Sequence, residues 1–317
     1  MAVLDDYLHR ADTFADWESL GPDVTVTFFH DPMGEEELAS HLADADVLVL
    51  MRERSRFPRS LLQRLPNLRL VVTTGMRNAS LDVDYLHERG VTFCGTGYAG
   101  QRGPGVSGTV EVAWALILSA VKRVGIEDRA LRAGRWQTGF PGELAGATLG
   151  LIGLGNLGSQ MVGPARAFGM DVIAWSANLT DERCAEVGVR RVELDELLRT
   201  ADVVSIHLIL GRRSRGLLGA AELARMKPTA VLVNTSRGPI VDEEALVAAL
   251  RDGPIAAAGL DVYDTEPLPA GHPLLGLDRA ILSPHLGYVS EPSFRLMYGQ
   301  VVEDIDAFLA GSPIRVI

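Results

Sequence analysis

The chain has 317 residues, of which 47% are hydrophobic and 22% charged, and a formal net charge of −11 at pH 7. That length predicts two domains, each large enough to bury its own core, and that composition excludes a disordered chain. The negative balance argues against nucleic acid or an anionic membrane as main partner. It leaves an acidic substrate open, since a local arginine can overrule the global field.

The N-terminal MAVLDDYLHR has acids at Asp5 and Asp6 and no apolar run after a basic start, so it does not read as a secretory signal. Over the first hundred residues, 24–29 (VTVTFF), 47–50 (VLVL), 68–74 (LRLVVTT) and 91–95 (VTFCG) predict strands, and 37–45 and 59–65 predict helices. Single helices between strands imply parallel crossover units. The glycine-rich stretch 95–108 (GTGYAGQRGPGVSG) is the expected domain boundary. A long helix is then expected from Gly108 to about Val124, apolar on nearly every face and so deeply buried between domains or subunits. Its most apolar segment, 113–121, has about half the length of a membrane span.

Six more runs predict strands, at 147–153, 170–175, 202–208, 230–236, 257–262 and 280–285, most with a helix before the next. The last helix is expected over 294–311. The fold class is therefore α/β, with a doubly wound parallel sheet in the second half. Cys94 and Cys184 lack C-x-x-C or metal spacing. They read as buried small hydrophobes of a reduced, cytoplasmic protein, and no metal is expected.

GLGNLG (153–158) follows a predicted strand and precedes a predicted helix. Gly153 allows the tight turn, Gly155 close backbone approach to a pyrophosphate, and Gly158 close helix packing. The helix N-terminus adds free N–H groups for the phosphates. The spacing therefore predicts dinucleotide binding. Other phosphate sites are absent: the only two lysines, Lys122 and Lys227, do not follow glycine, so there is no phosphate-binding G-K-[ST] loop. Ser176 stands 18 residues past Gly158, where Asp or Glu would bond the adenosine ribose. Serine can bond a 2′-hydroxyl or a 2′-phosphate and repels neither, so the choice between NAD and NADP stays open. No arginine follows directly, the first being Arg183.

Three segments end predicted strands: NTSRG with Arg237, DTEPLP with Glu266 and SPHLGY with His285. Ligands of open α/β sheets bind at the carboxyl ends of strands. Together with GLGNLG, these segments resemble the D-isomer-specific 2-hydroxyacid dehydrogenase family, over most of the chain from about residue 73 and most strongly over 148–290. The resemblance implies two Rossmann/flavodoxin-like domains, with a doubly wound cofactor domain (105–289) inserted in a discontinuous substrate domain (1–104 and 290–317). It also implies homodimers built largely on the cofactor domains.

The residue chemistry agrees with that family's reaction, hydride transfer between NAD(P)H and a small 2-oxo or 2-hydroxy acid. Arg237 offers a planar fork for a substrate carboxylate and can polarise the keto oxygen. His285 is of the residue type suited to exchanging a proton near neutrality. Glu266 against the imidazole would orient it and favour its charged form. By resemblance, Thr74 approaches the nicotinamide, Asn156 and Leu157 the pyrophosphate, and Leu208 and Gly287 the cofactor. Thr235 and Asp261 fall by the nicotinamide carboxamide, and Gly75 and Met76 would offer amides to the substrate carboxylate. His207, at a strand end, is expected to pack, and His272 to serve its loop.

Two positions depart from the family pattern. Ser176 replaces an acid, and Arg77 stands where Asp is common, either adding charge near the substrate or pointing outward. Substrate choice is expected to depend on the MRER segment (51–54), Tyr98 and Tyr288. MRER either supplies cations for a second acidic group or is a solvated charge run. The formate-oxidising branch is disfavoured, because it carries glutamine in place of Glu266. The alternative from another class is a nicotinamide-sensing, corepressor-like binding protein on the same fold.

Overall fold

The structure is a computed structural model and describes residues 1–97 and 107–317. Tyr98, most of the glycine-rich boundary stretch and the expected junction at 104/105 lie outside the described residues. The chain divides into two compact units, Met1–Gly103 with Val289–Ile317, and Pro104–Tyr288.

The first unit is a five-stranded sheet in the order β2-β1-β3-β4-β5, all neighbours parallel. Its strands are β1 (Ala2–Val3), β2 (Thr27–Phe28), β3 (Val47–Leu50), β4 (Leu70–Thr73) and β5 (Thr92–Gly95). Helices α1 (Glu35–Leu42), α2 (Arg59–Leu62) and α3 (Val83–Glu88) lie between them. Every residue of β3 and β4 is buried, as expected of parallel strands covered on both faces. Of the apolar run 24–29 only Thr27 and Phe28 pair, because β2 is an edge strand with a single neighbour. β1 is a strand that the sequence pattern did not reveal. The helix expected over 294–311 runs from Glu291 to Leu309, because Ser290 accepts from the Ser293 amide and Pro292 sits in the first turn. It buries Phe294, Met297, Tyr298, Val301 and Ile305, a single stripe of helical period, and packs on β4.

The second unit is a seven-stranded parallel sheet in the order β12-β11-β10-β9-β6-β7-β8. Helices α4 (Gly108–Val121) and α5 (Val124–Arg132) precede β6 (Thr148–Ile152). Then follow α6 (Asn156–Gln160), α7 (Val162–Ala167), β7 (Asp171–Trp175), α8 (Asp181–Val187), β8 (Arg190–Arg191), α9 (Leu194–Thr200) and β9 (Val203–Ile206). The unit ends with α10 (Ala220–Leu223), β10 (Val231–Asn234), α11 (Glu243–Asp252), β11 (Ala257–Leu260) and β12 (Ala280–Leu282). Alternate strand residues enter separate cores: Val231 and Val233 on one face, Leu232 on the other. This two-faced burial makes the strands near-continuous apolar runs.

One expectation is corrected here: the long helix ends at Val121 rather than 124, since Arg123 takes a left-handed conformation (φ 57°) and α5 starts anew. It packs a stripe (Val110, Ala113, Trp114, Leu116, Ile117, Ala120) on β10 to β12 of its own unit, with Glu111 and Ala115 exposed in the single chain. β8 escaped the sequence pattern because it consists of two exposed arginines on the sheet edge. Among the described residues no helix is long and apolar enough to cross a membrane, and no cluster of metal-ligating side chains occurs. Cys94 and Cys184 are both buried and unpaired with each other.

Asp304 of the C-terminal helix is fully buried and accepts a 2.8 Å bond from Arg315 Nε, while its Oδ2 has no hydrogen-bond partner. Burial pushes its carboxyl up to about 6 despite Arg315. A raised acid stabilises the fold below its unfolded value, 3.8, and loses that contribution as pH climbs through about 6. The loss is on the order of 3 kcal/mol. Thermal midpoints of wild type and Asp304→Asn should therefore diverge with pH, wild type losing several degrees relative to the variant between pH 4 and 7. A constant difference across that range would refute the assignment.

Candidate active site

The strand order reverses between β6 and β9, and ligands of such sheets bind where neighbouring strands lead off in opposite directions. The turn after β6 is GLGNLG. Gly153 has φ +107°, and a Cβ there would overlap the His207 carbonyl oxygen at the end of β9. A Cβ on Gly158 would overlap the Gly153 carbonyl, so the helical segment sits hard against the turn. Gly155 differs: nothing lies within 4 Å of where its Cβ would be, and it caps α6. That open place beside the first-turn amides fits a pyrophosphate. Asn156 Oδ1 accepts from Gln160, Leu157 packs into the core under the helix, and Leu208 lies against the Gly153 turn.

Beyond β9, His207 pairs its Nε2 with Ser205 Oγ at 2.9 Å, and its buried Nδ1 has no partner. Burial lowers its pKa to about 4, so the ring is neutral beside the glycine turn. Beyond β10, Asn234 organises the NTSRG turn from its side chain. Its Oδ1 accepts from the Ser236 amide at 3.0 Å and its Nδ2 donates to the Arg237 carbonyl at 2.9 Å. Arg237 Nη1 donates to the Ser236 carbonyl at 2.7 Å. The Thr235 hydroxyl is buried with no hydrogen-bond partner, an acceptor and donor available to a ligand.

Beyond β11 and β12 lies the reactive pair. His285 Nδ1 and Glu266 Oε2 are 2.6 Å apart, with side chains only 20% and 26% exposed. Glu266 Oε1 accepts from the Tyr263 amide at 2.9 Å, which fixes the carboxylate plane. Burial works to raise the Glu266 pKa. The bond and charge of His285, the Tyr263 amide and the Arg237 charge outweigh it, and the net shift is downward. An ionised Glu266 on Nδ1 leaves Nε2 as the nitrogen that can exchange a proton with a ligand. Tyr288 contacts the imidazole edge-on, with ring centroids 5.1 Å apart.

Asp261, fully buried, holds this loop in place. It accepts from Ser283 Oγ (2.5 Å) and from the amides of Leu286 (2.7 Å) and Gly287 (2.9 Å), the two that follow His285, whose φ is +54°. Burial raises the Asp261 pKa against those three bonds. The resemblance assigns Asp261 a cofactor contact; its carboxylate oxygens also hold the histidine loop. His272 likewise serves its loop, bonding Glu243 Oε1 at 3.0 Å and accepting from the Leu274 amide at 3.3 Å.

The other unit carries Thr74, Gly75 and Met76 after β4. Thr74 Oγ1 accepts from the Arg52 amide at 2.9 Å. The Gly75 N–H donates to Thr96 Oγ1 at 3.1 Å, so it serves a ligand only by giving up that bond. Arg52 packs against Gly75, and Met76 and Arg77 are exposed.

A reversed parallel sheet, a glycine turn without room for side chains and an imidazole–carboxylate pair at strand ends define a dinucleotide-dependent oxidoreductase. Residues 114–287 match the family model described as D-isomer specific 2-hydroxyacid dehydrogenase, NAD binding domain. The chain is 38% identical to a glyoxylate reductase of Aeropyrum pernix, covering 91% of this chain and 87% of that one. It is 33% identical to a hydroxypyruvate reductase of Blautia hydrogenotrophica, over 89% and 88% respectively. The crystal structure of a phosphoglycerate oxidoreductase from Vibrio cholerae superposes with a TM-score of 0.90 at 32% identity, over 98% of this chain and 99% of that one. The chain belongs to the D-isomer specific 2-hydroxyacid dehydrogenase family. It is an NAD(P)-dependent oxidoreductase acting between 2-oxo and 2-hydroxy acids.

Glu266→Gln keeps the shape and removes the charge. With the carboxylate that holds Nδ1 gone, kcat in the reductive direction should fall by about tenfold or more, while cofactor affinity stays within twofold. An unchanged kcat would show that Glu266 does not position the proton donor.

Proposed function

We propose that the chain reduces a small 2-oxo acid, with Arg237 holding the carboxylate and His285 delivering the proton. The observation that carries this reading is the 2.6 Å His285–Glu266 pair, standing at strand ends of the sheet that also presents Arg237. Bound NAD(P)H supplies the hydride that adds to C2. Arg237 binds the carboxylate in a fork and polarises the keto oxygen. His285 donates its Nε2 proton to that oxygen as negative charge develops, and Glu266 keeps the imidazole protonated and oriented until then. Oxidation of a D-2-hydroxy acid reverses each step and needs the neutral imidazole.

The unit Pro104–Tyr288 acts as the cofactor domain and the other as the substrate domain. Gly153, Gly155 and Gly158 with Asn156 and Leu157 would hold the pyrophosphate. Thr235, Leu208, Gly287, Asp261 and Thr74 would lie along the nicotinamide half, and Ser176 at the adenosine ribose. Gly75 and Met76 would face the substrate carboxylate. The relatives' names point to glyoxylate or hydroxypyruvate as substrate. The test is oxidation of NADH and NADPH by a panel of glyoxylate, hydroxypyruvate and pyruvate. Arg237→Gln should cut kcat/KM by about 10²-fold or more, the cost of an unpaired buried charge. His285→Gln should lower kcat by about 10²–10⁴-fold. Cofactor binding without turnover would instead favour a sensing protein.

We further infer a homodimer made through α5 and the segment after it. Trp136 is 77% and Phe140 99% exposed, with Val124 and Leu131 also open. Exposed aromatics so grouped mark an interface, and a second copy is the occupant that the family resemblance supplies. Sedimentation should report a dimer for wild type and a shift toward monomer for Trp136→Ser/Phe140→Asp. A wild-type monomer at micromolar concentration would end this inference.

A further inference from the structure

We infer that Arg213 is the residue that selects the cofactor, forming with Ser176 and Asn178 a site for the 2′-phosphate of NADP(H). The inference rests on the reading that Ser176 meets the adenosine ribose. The chain after β7 turns at once, the Leu179 amide donating to the Ser176 carbonyl at 3.0 Å, and α8 begins after Thr180, whose hydroxyl accepts from the Arg183 amide. No carboxylate stands between Ser176 and Thr180. The only acid on β7 is Asp171, at the opposite end of the strand. The group that would repel a phosphate is therefore missing from the ribose position.

A positive group arrives from elsewhere in the chain. Arg213, 35 residues further on, extends from the loop after β9 and donates from Nη1 to Asn178 Oδ1 at 3.2 Å. That loop is built rather than loose. Buried Ser214 donates to the Ile209 carbonyl (2.7 Å) and accepts from the Gly211 amide (2.8 Å), fixing the turn from which Arg212 and Arg213 project. A second guanidinium, that of Arg183, reaches the glycine turn at the Leu154 carbonyl and bonds Ser159 Oγ at 2.7 Å.

Charge accounting separates the two arginines. Arg183 is paired with Glu186, and Arg191, which bonds the Leu179 carbonyl, is paired with Glu193. Among the described residues Arg213 has no carboxylate within ion-pair distance. The acids nearest in sequence, Asp181 and Glu182, open α8 beyond the turn. A protein with a net charge of −11 thus leaves an exposed arginine bonded to a neutral amide, beside a serine where an acid is usual. A phosphate monoester adds nearly two negative charges and three strong acceptors, which a guanidinium matches with paired donors. Ribose hydroxyls offer no such charge, so the arrangement discriminates by charge.

The experiment is fluorescence titration of the full-length protein with NADH and NADPH separately, for wild type, Arg213→Gln and Ser176→Asp. Wild type should bind NADPH at least tenfold tighter than NADH. Arg213→Gln should weaken NADPH about tenfold and leave NADH within twofold, and its intact NADH affinity reports an intact fold. Ser176→Asp should weaken NADPH by a similar factor and tighten NADH, because the new carboxylate bonds the ribose hydroxyls and repels the phosphate. A wild-type preference for NADH overturns the proposal, as does a parallel loss of both cofactors in Arg213→Gln. Failure of wild type to bind either cofactor would instead remove the dinucleotide site on which the proposal rests.

Discussion

Everything chemical in this molecule depends on where the seven-stranded sheet reverses its winding. β6 has β7 on one side and β9 on the other, so the connections leaving their carboxyl ends diverge and open a crevice above β6. The crevice persists because the backbone at its floor has no room for side chains: at Gly153 and Gly158 a single Cβ would collide with a neighbouring carbonyl. Close contact there leaves Gly155 as the one glycine of the turn with open space. The sheet supplies direction, and the glycines supply depth.

On that scaffold the reactive groups are held by polar groups that do no chemistry themselves. Asn234 shapes the turn bearing Arg237, Tyr263 offers its amide to Glu266, and Asp261 ties down both amides that follow His285. Such bonds contribute little net free energy each, but losing one would strand a buried acceptor at a cost of 1–3 kcal/mol. The result is an imidazole with one nitrogen committed to a carboxylate and the other left to react. His207, by contrast, is kept neutral by burial, so it adds no competing charge beside the glycine turn.

Much of this was legible in the sequence, for physical reasons. Central parallel strands are buried on both faces and so read as apolar runs, which revealed β3, β4 and β9 to β11 nearly to the residue. Edge strands lack that signature: β1 is two residues long and β8 is Arg190–Arg191. The break at Arg123 depends on a left-handed backbone conformation that residue type does not announce. Arg237, Glu266 and His285 were findable because each closes an apolar run. The bond from the Gly75 amide to Thr96, the Asp261 clasp and the reach of Arg213 to Asn178 were not, since each joins residues that only the folded chain brings together.

The overall charge makes these local arrangements more telling. A chain at −11 repels anions at long range, yet both a dinucleotide and a 2-oxo acid are anionic. Physiological salt screens that repulsion beyond roughly 8 Å, whereas contacts inside a partly buried crevice are screened far less. Recognition must therefore come from a few fixed donors at short range: the amides of the glycine turn, the fork of Arg237 and the guanidinium beside Asn178. Several exposed arginines elsewhere, such as Arg64, Arg132 and Arg199, are answered by a carboxylate on the same surface. Arg213 instead bonds a neutral amide two residues past Ser176, so no neighbouring acid offsets the charge it brings to that turn.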